Sequence, residues 1–325
     1  MGKAAEKVYG MARRPASRTA ETENNQLHLQ VVASRKIRND MKSLLTLLVA
    51  CALLAGCESN PITGRSQLML VSESMAVSES AAAYSQMMGD LGRKKQIEVN
   101  SARVQKVRDI TDRLVAQAMK LRPDSAGWKW EVQVINDPKT VNAFCMAGGK
   151  MAIYAGMWDK LNASDDEIAM VMGHEISHAL AGHTQERMSV AMTSQAVAAV
   201  AAIAISSSES TRGLALTGAQ LAAVYAVQMP NSRTSESEAD EIGIQLAARA
   251  GYDPKAAVTL WEKMGKLGGT PPEFLSTHPS PEHRAERLKM LGEKVRPDYE
   301  AAKANPPPHQ RLVNLTESAR GGAVK

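Results

Sequence analysis

The chain has 325 residues, enough for one large domain or two small ones, and its 44% of apolar residues allows a sizeable core. Only 4% of the residues are aromatic, which favours a helix-rich fold over an all-β one. The net charge of +5 lies wholly within residues 1–56, where nine Lys or Arg stand against four Asp or Glu. Because the rest of the chain is balanced, its charge gives no indication of nucleic-acid binding.

Residues 41–57 have the order of a secretory signal, with Met41-Lys42, an apolar run of about a dozen residues, small residues and then Cys57. The run is too short to span a bilayer comfortably. Leu54-Ala55-Gly56-Cys57 resembles the lipoprotein box of bacteria, which implies acylation of Cys57 and attachment to a lipid bilayer. A core helix over residues 43–55 is the alternative.

This interpretation divides the chain. We expect a misassigned extension at residues 1–40, a signal peptide at 41–56, a tether at 57–73, one catalytic domain at 74–295 and a flexible tail at 296–325. The residue after the cysteine is Glu58 and not Asp. By resemblance to lipoprotein sorting in Gram-negative bacteria, this favours the periplasmic face of the outer membrane.

Apolar spacing and helix-start signals predict most of the mature chain to be helical. The predicted helices cover residues 74–93, 98–121, a stretch from Ser164 onward, 188–209, 213–229, 234–250, 255–267 and a last helix from Pro281 to about Leu291. Strands are predicted only at 128–135 and 148–154. Strands and helices do not alternate regularly, so the predicted class is α+β and mostly helical. The Ala-rich pair 188–209 and 213–229 is interpreted as a helical hairpin packed on the domain, with a membrane-dipping hairpin as the alternative.

The segment His174-Glu175-Ile176-Ser177-His178 matches the His-Glu-x-x-His signature of zinc metalloproteases. Residues four apart share one face of a helix, so His174 and His178 can bind one metal ion together. Glu175 is then placed to take a proton from water. His183 has the wrong spacing for a third ligand, and we expect it to cap the helix or to hydrogen-bond a ligand.

A third ligand must come from elsewhere, because a catalytic zinc has three protein ligands and an open position. Glu236 and Asp240 are again four residues apart. One carboxylate can bind zinc while the other accepts a hydrogen bond from a ligand imidazole. Spacing alone does not decide between this arrangement and a solvated acidic helix.

These paired motifs resemble the gluzincin metallopeptidases related to the HtpX and Oma-type proteases and to the CAAX prenyl proteases. Asn60-Pro-Ile-Thr-Gly-Arg65, Asn142-Ala-Phe144, Gly148-Gly149 and Thr277-His-Pro279 are similar to its lipoprotein branch. The resemblance covers roughly residues 60–292. It implies a zincin-like fold with a small β-sheet whose edge strand lines the cleft.

The resemblance also implies functional residues. One zinc ion would be bound by His174, His178 and Glu236, with Asp240 in support and Glu175 as the base. His278 would be a catalytic hydrogen-bond donor to the oxyanion, or would fill the open position on zinc at rest. The strand near Gly149–Tyr154 would line the cleft and pair with an extended substrate. The substrate-strand residues on this interpretation are Asn142, Gly149, Lys150 and Ile153.

The sequence therefore predicts a zinc metalloendopeptidase that hydrolyses misfolded or damaged cell-envelope proteins. Its partners would be those substrates and, through Cys57, the bilayer, but not nucleic acid; no oligomeric state is indicated. The quality-control role rests on analogy alone. The alternative is an envelope chaperone or assembly factor with a structural zinc site. Glu175 beside the ligands argues against it, since a structural site closes all four positions with protein ligands. Arg284 and Arg287 are expected on a helix surface or in domain packing.

Overall fold

The computed structural model describes residues 56–99, 101–205, 229–267, 272–278 and 283–315, and six isolated helical positions before residue 41. Side chains next to the gap at 206–228 are described up to residue 196 and again from residue 233. The chain divides into two compact units, Met1–Ala55 and Gly56–Lys325. The predicted signal peptide lies outside the described residues except for Gly56, and so does the predicted helix 213–229 except for Met229.

The second unit is mostly helical with two small sheets, which confirms the predicted α+β class. Its described elements are β1 (Cys57–Ser59), β2 (Ser66–Leu68), α1 (Glu73–Arg93), α2 (Ala102–Leu121), β3 (Glu131–Ile135), β4 (Ala143–Met146), β5 (Lys150–Tyr154), α3 (Gly156–Asp159), α4 (Asp165–Leu180), α5 (His183–Ile205), α6 (Met229–Arg249), α7 (Ala256–Lys266), α8 (Glu273–Thr277) and α9 (Arg284–Ala304).

The main sheet has the order β3-β5-β4, in which β5 pairs parallel with β3 and antiparallel with β4. The outer side of β3 is covered, because Val132 N donates to Asn314 O and Asn314 N donates to Trp130 O. Among the described residues no strand pairs with the outer side of β4. The open edge of the sheet is therefore β4.

Helix α4 lies at the centre of the core. The predicted start at Ser164 is confirmed: its side chain accepts from Glu167 N, and Glu167 reaches back to the Ser164 N–H as a capping box. Every residue from Glu167 to Leu180 is buried, so the helix is enclosed on all sides. It packs against α2, β4, α6 and α7.

Helices α4 and α6 touch through a pair of glycines. A Cβ atom on Gly243 would lie 2.7 Å from the backbone N of His174, and one on Gly173 would lie 2.8 Å from the carbonyl oxygen of Gly243. No other residue type fits at such a distance without moving a backbone. The crossing therefore fixes α6 against the helix turn that carries His174.

Parts of two segments expected to be loose are folded. The predicted tether contains the β1–β2 hairpin, in which Cys57 pairs with Leu68. The predicted tail continues α9 to Ala304, with Pro297 inside the helix. The described last helix begins at Arg284, directly after His283 in the left-handed conformation with φ 56°, and the predicted start at Pro281 lies outside the described residues. The predictions of a loose tether and a flexible tail were therefore wrong for the hairpin strands and for residues 296–304. Strand pairing and helix packing depend on contacts with distant residues, which local composition does not reveal.

No helix in the described part of the chain is both long and apolar enough to cross a membrane.

We predict that Gly243→Ala lowers the free energy of unfolding by about 1–3 kcal/mol, because the added methyl group has to separate two packed backbones. Urea denaturation measures the change. Gly265→Ala in α7 is the control, since a Cβ atom there meets no atom within 4 Å. It should leave stability unchanged or raise it by at most about 1 kcal/mol. Equal stability of the two variants would contradict a fixed α4–α6 crossing.

Candidate metal centre

Three side chains from two helices meet in the core beside the glycine crossing. Nε2 of His174 and Nε2 of His178 lie 3.1 Å apart on one face of α4. Glu236 of α6 places Oε2 3.2 Å from the first nitrogen and Oε1 3.4 Å from the second. The structure thus brings together the three side chains expected to bind the metal, and all three are buried.

The far side of each imidazole is held by a carboxylate. For His174 the contact is direct, with Nδ1 3.1 Å from Oδ1 of Asp240. For His178 it runs through His183, since the two Nδ1 atoms are 2.8 Å apart and Nε2 of His183 lies 3.1 Å from Glu238. His183 thus hydrogen-bonds a ligand candidate, as expected, and does not enter the cluster.

These contacts decide where the protons lie. A carboxylate accepts, so His174 donates from Nδ1 to Asp240 and His183 donates from Nε2 to Glu238. Neutral His183 can then only accept at Nδ1, which makes His178 the donor there. In their neutral forms both ligand candidates consequently carry a proton on Nδ1 and direct Nε2 lone pairs at each other and at Glu236.

Acceptors that converge at 3.1–3.4 Å in a buried site repel one another unless a positive charge lies between them. Two imidazole nitrogens and a carboxylate oxygen are the donor set of zinc sites with a free position. His174, His178, Glu236 and His278 each offer a ligand atom within 4.8 Å of the others. The residues present therefore fit a zinc ion.

The same electrostatics appear in the pKa values. Burial alone would lower the pKa of His174, but hydrogen bonds to the Asp240 and Glu236 carboxylates outweigh it and raise that pKa to about 9. Burial holds the pKa of His178 well below its usual value. Burial opposes ionisation of Glu236 too, yet its contacts with His174 and His178 keep its pKa far below the ordinary range. A proton and a metal ion thus compete for the Nε2 atom of His174.

Glu175 and His278 lie on the open side of the cluster. Oε1 of Glu175 is buried, accepts no hydrogen bond from the described residues, and lies 3.3 Å from Nε2 of His278. Nδ1 of His278 lies 3.0 Å from both the carbonyl oxygen of Phe274 and the hydroxyl oxygen of Thr277. If Nδ1–H donates to Phe274, Nε2 presents a lone pair that suits a ligand; if Nδ1 accepts from Thr277, Nε2–H is directed at Glu175 and suits a hydrogen-bond donor.

The sequence pattern of peptidase family M48 matches residues 101–291, more than half of the chain. The chain belongs to this family. It is 30% identical over 280 residues to the mitochondrial metalloendopeptidase OMA1 of Saccharomyces cerevisiae, covering 81% of this chain and 77% of the yeast protein. It is 31% identical over 244 residues to the mitochondrial metalloendopeptidase OMA1 of Homo sapiens, covering 72% of this chain and 45% of that protein.

The chain is also 32% identical over 167 residues to the β-barrel assembly-enhancing protease of Escherichia coli. That match covers 48% of this chain and 33% of the relative, so the chain spans less than half of the human and Escherichia coli proteins. The metalloproteases of family M48 use zinc, and His174, His178 and Glu236 form a site that could hold it.

One side chain of this M48 site was missed by sequence reasoning. Arg284, at the first residue of α9, is buried and donates to Asp240 at 2.6 Å, with Glu236 3.4 Å away. Its guanidinium carbon lies 3.9 Å from the ring centre of Trp261. Arg287 adds a 3.4 Å contact to Asp240. Of the two roles expected for Arg284, burial excludes the helix-surface one and agrees with domain packing, and its contact with the Asp240 carboxylate beside His174 was not predicted.

A cleft of about 490 Å³ opens over the cluster. Its walls come from α1, β4, α4, α5 and α8. It is lined by Glu175, His178, His278, the four residues of β4 and Asn142, which precedes that strand. An edge strand thus lines the cleft, as expected of the fold. That strand is β4 and not the one at Gly149–Tyr154.

The expected substrate strand needs correction. Lys150 pairs with both Glu131 and Met146, and Ile153 with both Val134 and Ala143, so the backbone of β5 has no free side. Gly149 packs against Trp130, where a Cβ atom would lie 2.4 Å from the ring. Of the four residues predicted, only Asn142 lines the cleft, and its side-chain amide donates to Glu273.

We predict that Asp240→Asn weakens zinc binding by about 10- to 100-fold, because the amide keeps the shape but loses the charge that orients His174. Competition with a chromogenic chelator measures the affinity. Glu241→Gln, at the neighbouring position on the exposed side of α6, is the matched control and should bind zinc like the unaltered chain. Equal affinity of both variants would rule out an orienting role for Asp240.

Proposed function

We propose that this chain is a zinc metalloendopeptidase of the cell envelope, in which His174, His178 and Glu236 bind one zinc ion and Glu175 is the general base. The convergence of three buried acceptors beside the Glu175 carboxylate carries this proposal. Glu175 and His178 lie in the wall of a cleft along β4, whose outer edge no described strand covers, so a peptide can reach the site.

Zinc bound there would polarise the scissile carbonyl group and lower the pKa of a water molecule. Glu175 accepts the proton of that water at Oε1 and passes it to the leaving amine. The carboxylate suits this task because Oε1 has no competing hydrogen-bond donor among the described residues. Asp240 and His183 hold the two imidazoles so that their Nε2 atoms stay directed at the cluster.

The substrate would pair with β4 by its backbone. No described strand covers the outer edge of residues 143–146, which lies beside Glu175 and His178. Main-chain hydrogen bonds to an edge strand supply affinity with little dependence on sequence. This assignment replaces the central strand β5 and agrees with an endopeptidase that acts on exposed, extended segments.

Two roles fit His278, one for each tautomer of its ring. With Nδ1–H donated to Phe274, its Nε2 lone pair would make His278 a fourth ligand in a resting enzyme, and substrate entry would require it to move away. With Nδ1 accepting from Thr277, its Nε2–H would be available as a donor to the oxyanion.

The envelope address is supported by the leader sequence and by the position of Cys57. Cys57 is exposed and is the first residue of β1, at the start of the second compact unit. Acylation there would hold the domain against a bilayer without a membrane-spanning helix. The relatives point in two directions, because two are mitochondrial by name and the third is named for β-barrel assembly. We propose the periplasmic face of the outer membrane, with unfolded or damaged envelope proteins as substrates.

We predict that Glu175→Gln lowers the rate of casein cleavage by about 100- to 10,000-fold while zinc remains bound, because the amide cannot accept the proton. Peptide release and zinc content are measured on the same sample. Glu262→Gln, on the exposed face of helix α7, should keep both at the level of the unaltered chain. Full cleavage by Glu175→Gln would contradict the mechanism. A zinc-loaded unaltered chain that only suppresses aggregation would favour the chaperone alternative.

We predict that the mature protein in native membranes begins at Cys57 and carries acyl chains, because the lipoprotein box ends there. Intact mass spectrometry reads both features in one measurement. Cys57→Ser should leave the protein unacylated and release it from washed membranes. A mature start elsewhere, or an unmodified Cys57, would contradict the proposed address without touching the catalytic assignment.

A further inference from the structure

The β1–β2 hairpin is docked on the end of the metal-binding helix. The side-chain amides of Asn60 and Gln67 each donate to the carbonyl oxygen of Ala181 at 3.1 Å. Ala181 is the C-cap of α4, and the last carbonyl groups of a helix lack partners within it. Both amides are buried, at 3% and 1% exposure. The hairpin is therefore part of the catalytic domain.

The turn of the hairpin is held in one conformation. Oδ1 of Asn60 accepts from the N–H groups of Ile62 and Thr63, and Asn60 N donates to Arg65 O at 2.7 Å. Gly64 has φ 72°, a value that favours glycine. The turn consequently presents Arg65 to the domain in a fixed position.

Arg65 joins two buried carboxylates from different helices. Its two terminal nitrogens donate to Glu186 of α5 at 2.7 and 2.6 Å, and its Nε donates to Glu238 of α6 at 2.9 Å. Glu186 is 4% exposed and Glu238 is 8% exposed. A planar guanidinium suits this geometry, since it can pair with one carboxylate in bidentate fashion and still reach the other. Without Arg65, two carboxylates would remain in the domain with no cation between them.

Glu238 passes this constraint to the metal site. It accepts from Nε2 of His183, and this bond forces His183 to accept from Nδ1 of His178. The proton on Nδ1 of His178 is what leaves Nε2 free for a metal ion. If Glu238 lost its charge or its side chain rotated away, His183 could instead carry its proton on Nδ1 and donate to His178. The proton on His178 would then move from Nδ1 to Nε2.

We infer that Arg65, Glu238 and His183 form a positioning relay that fixes His178 as a zinc ligand, so that the hairpin after Cys57 controls the metal affinity of the site. The inference rests on the proposed zinc-binding function. The opposite ligand supports it by comparison, because His174 has the same arrangement of a carboxylate backed by an arginine, with Asp240 and Arg284. The hairpin supplies for His178 what α9 supplies for His174.

Zinc affinity of the full chain tests the relay by chelator competition. Arg65→Ala and His183→Ala should each weaken zinc binding by about tenfold or more, and Arg65→Lys should restore part of it because one ion pair can re-form. Arg122→Ala is the matched control. Arg122 is buried like a core residue and donates to Leu180 O at the same end of α4, but it touches no relay residue. The Arg122→Ala variant should have a lower free energy of unfolding and the zinc affinity of the unaltered chain.

A double variant separates a relay from a general loosening of the domain. If Arg65 acts through His183, combining Arg65→Ala with His183→Ala costs no more zinc affinity than His183→Ala alone. Two-bond ¹H–¹⁵N spectra of the histidine rings should show one tautomer of His178 in the unaltered chain and in Arg122→Ala, and a mixture in Arg65→Ala.

Equal zinc affinity of Arg65→Ala and Arg122→Ala, or additive losses in the double variant, would overturn the relay. If Arg65→Ala does not fold, Glu238→Gln, which keeps the side-chain shape, replaces it under the same criteria. Casein cleavage by the unaltered chain is scored separately. A zinc-bound chain without cleavage would refute the proposed enzyme and leave the relay to be judged by affinity.

Discussion

Helices α4 and α6 approach until the backbone of Gly243 touches that of His174, and the metal site depends on this contact. Each helix carries two functional side chains four residues apart, on the face turned to the other helix. The glycines remove the side chains that would hold the helices apart, so packing the core and assembling the ligands are one event.

Such an arrangement places strong electrostatic demands on the core. Glu236, Glu238, Asp240 and Glu186 are all buried, and each needs a compensating partner. Two arginines provide part of this charge compensation: Arg65 from the β1–β2 hairpin and Arg284 from α9. The first and last parts of the domain therefore close over the same centre from opposite ends of the sequence. Removing one cation would leave a buried charge, which is more costly than removing a whole ion pair.

Local sequence patterns predicted the parts of the site that depend on helix periodicity. The four-residue steps in α4 and α6 placed the side chains on shared faces, and Ser164 with Glu167 marked where α4 begins. The strand order could not be predicted in this way. β5 pairs with β3 although β4 lies between them in the sequence, and no local pattern indicates that pairing. β4 was not predicted as a strand, since four residues give too short a pattern for period-two alternation.

Arg284 could have been found. Arg284, Leu288, Gly292 and Val295 are buried along one face of α9 at steps of three and four residues. An arginine in line with an apolar stripe either reaches out to solvent or meets a buried acid. The helix was predicted to end near Leu291, so this stripe was cut short and nothing decided between a helix-surface and a domain-packing role for Arg284.

The closed outer side of β3 has a consequence for selection. With Asn314 on one edge of the three-stranded sheet, the described part of the chain leaves an incoming polypeptide one edge of that sheet to pair with, the four residues of β4. Pairing there consumes backbone groups that a folded protein already uses in its own helices and sheets. A polypeptide would be cut in proportion to how often a short stretch of it detaches from its own fold. The local opening equilibrium of the target, more than its side chains, would then set the rate of cleavage.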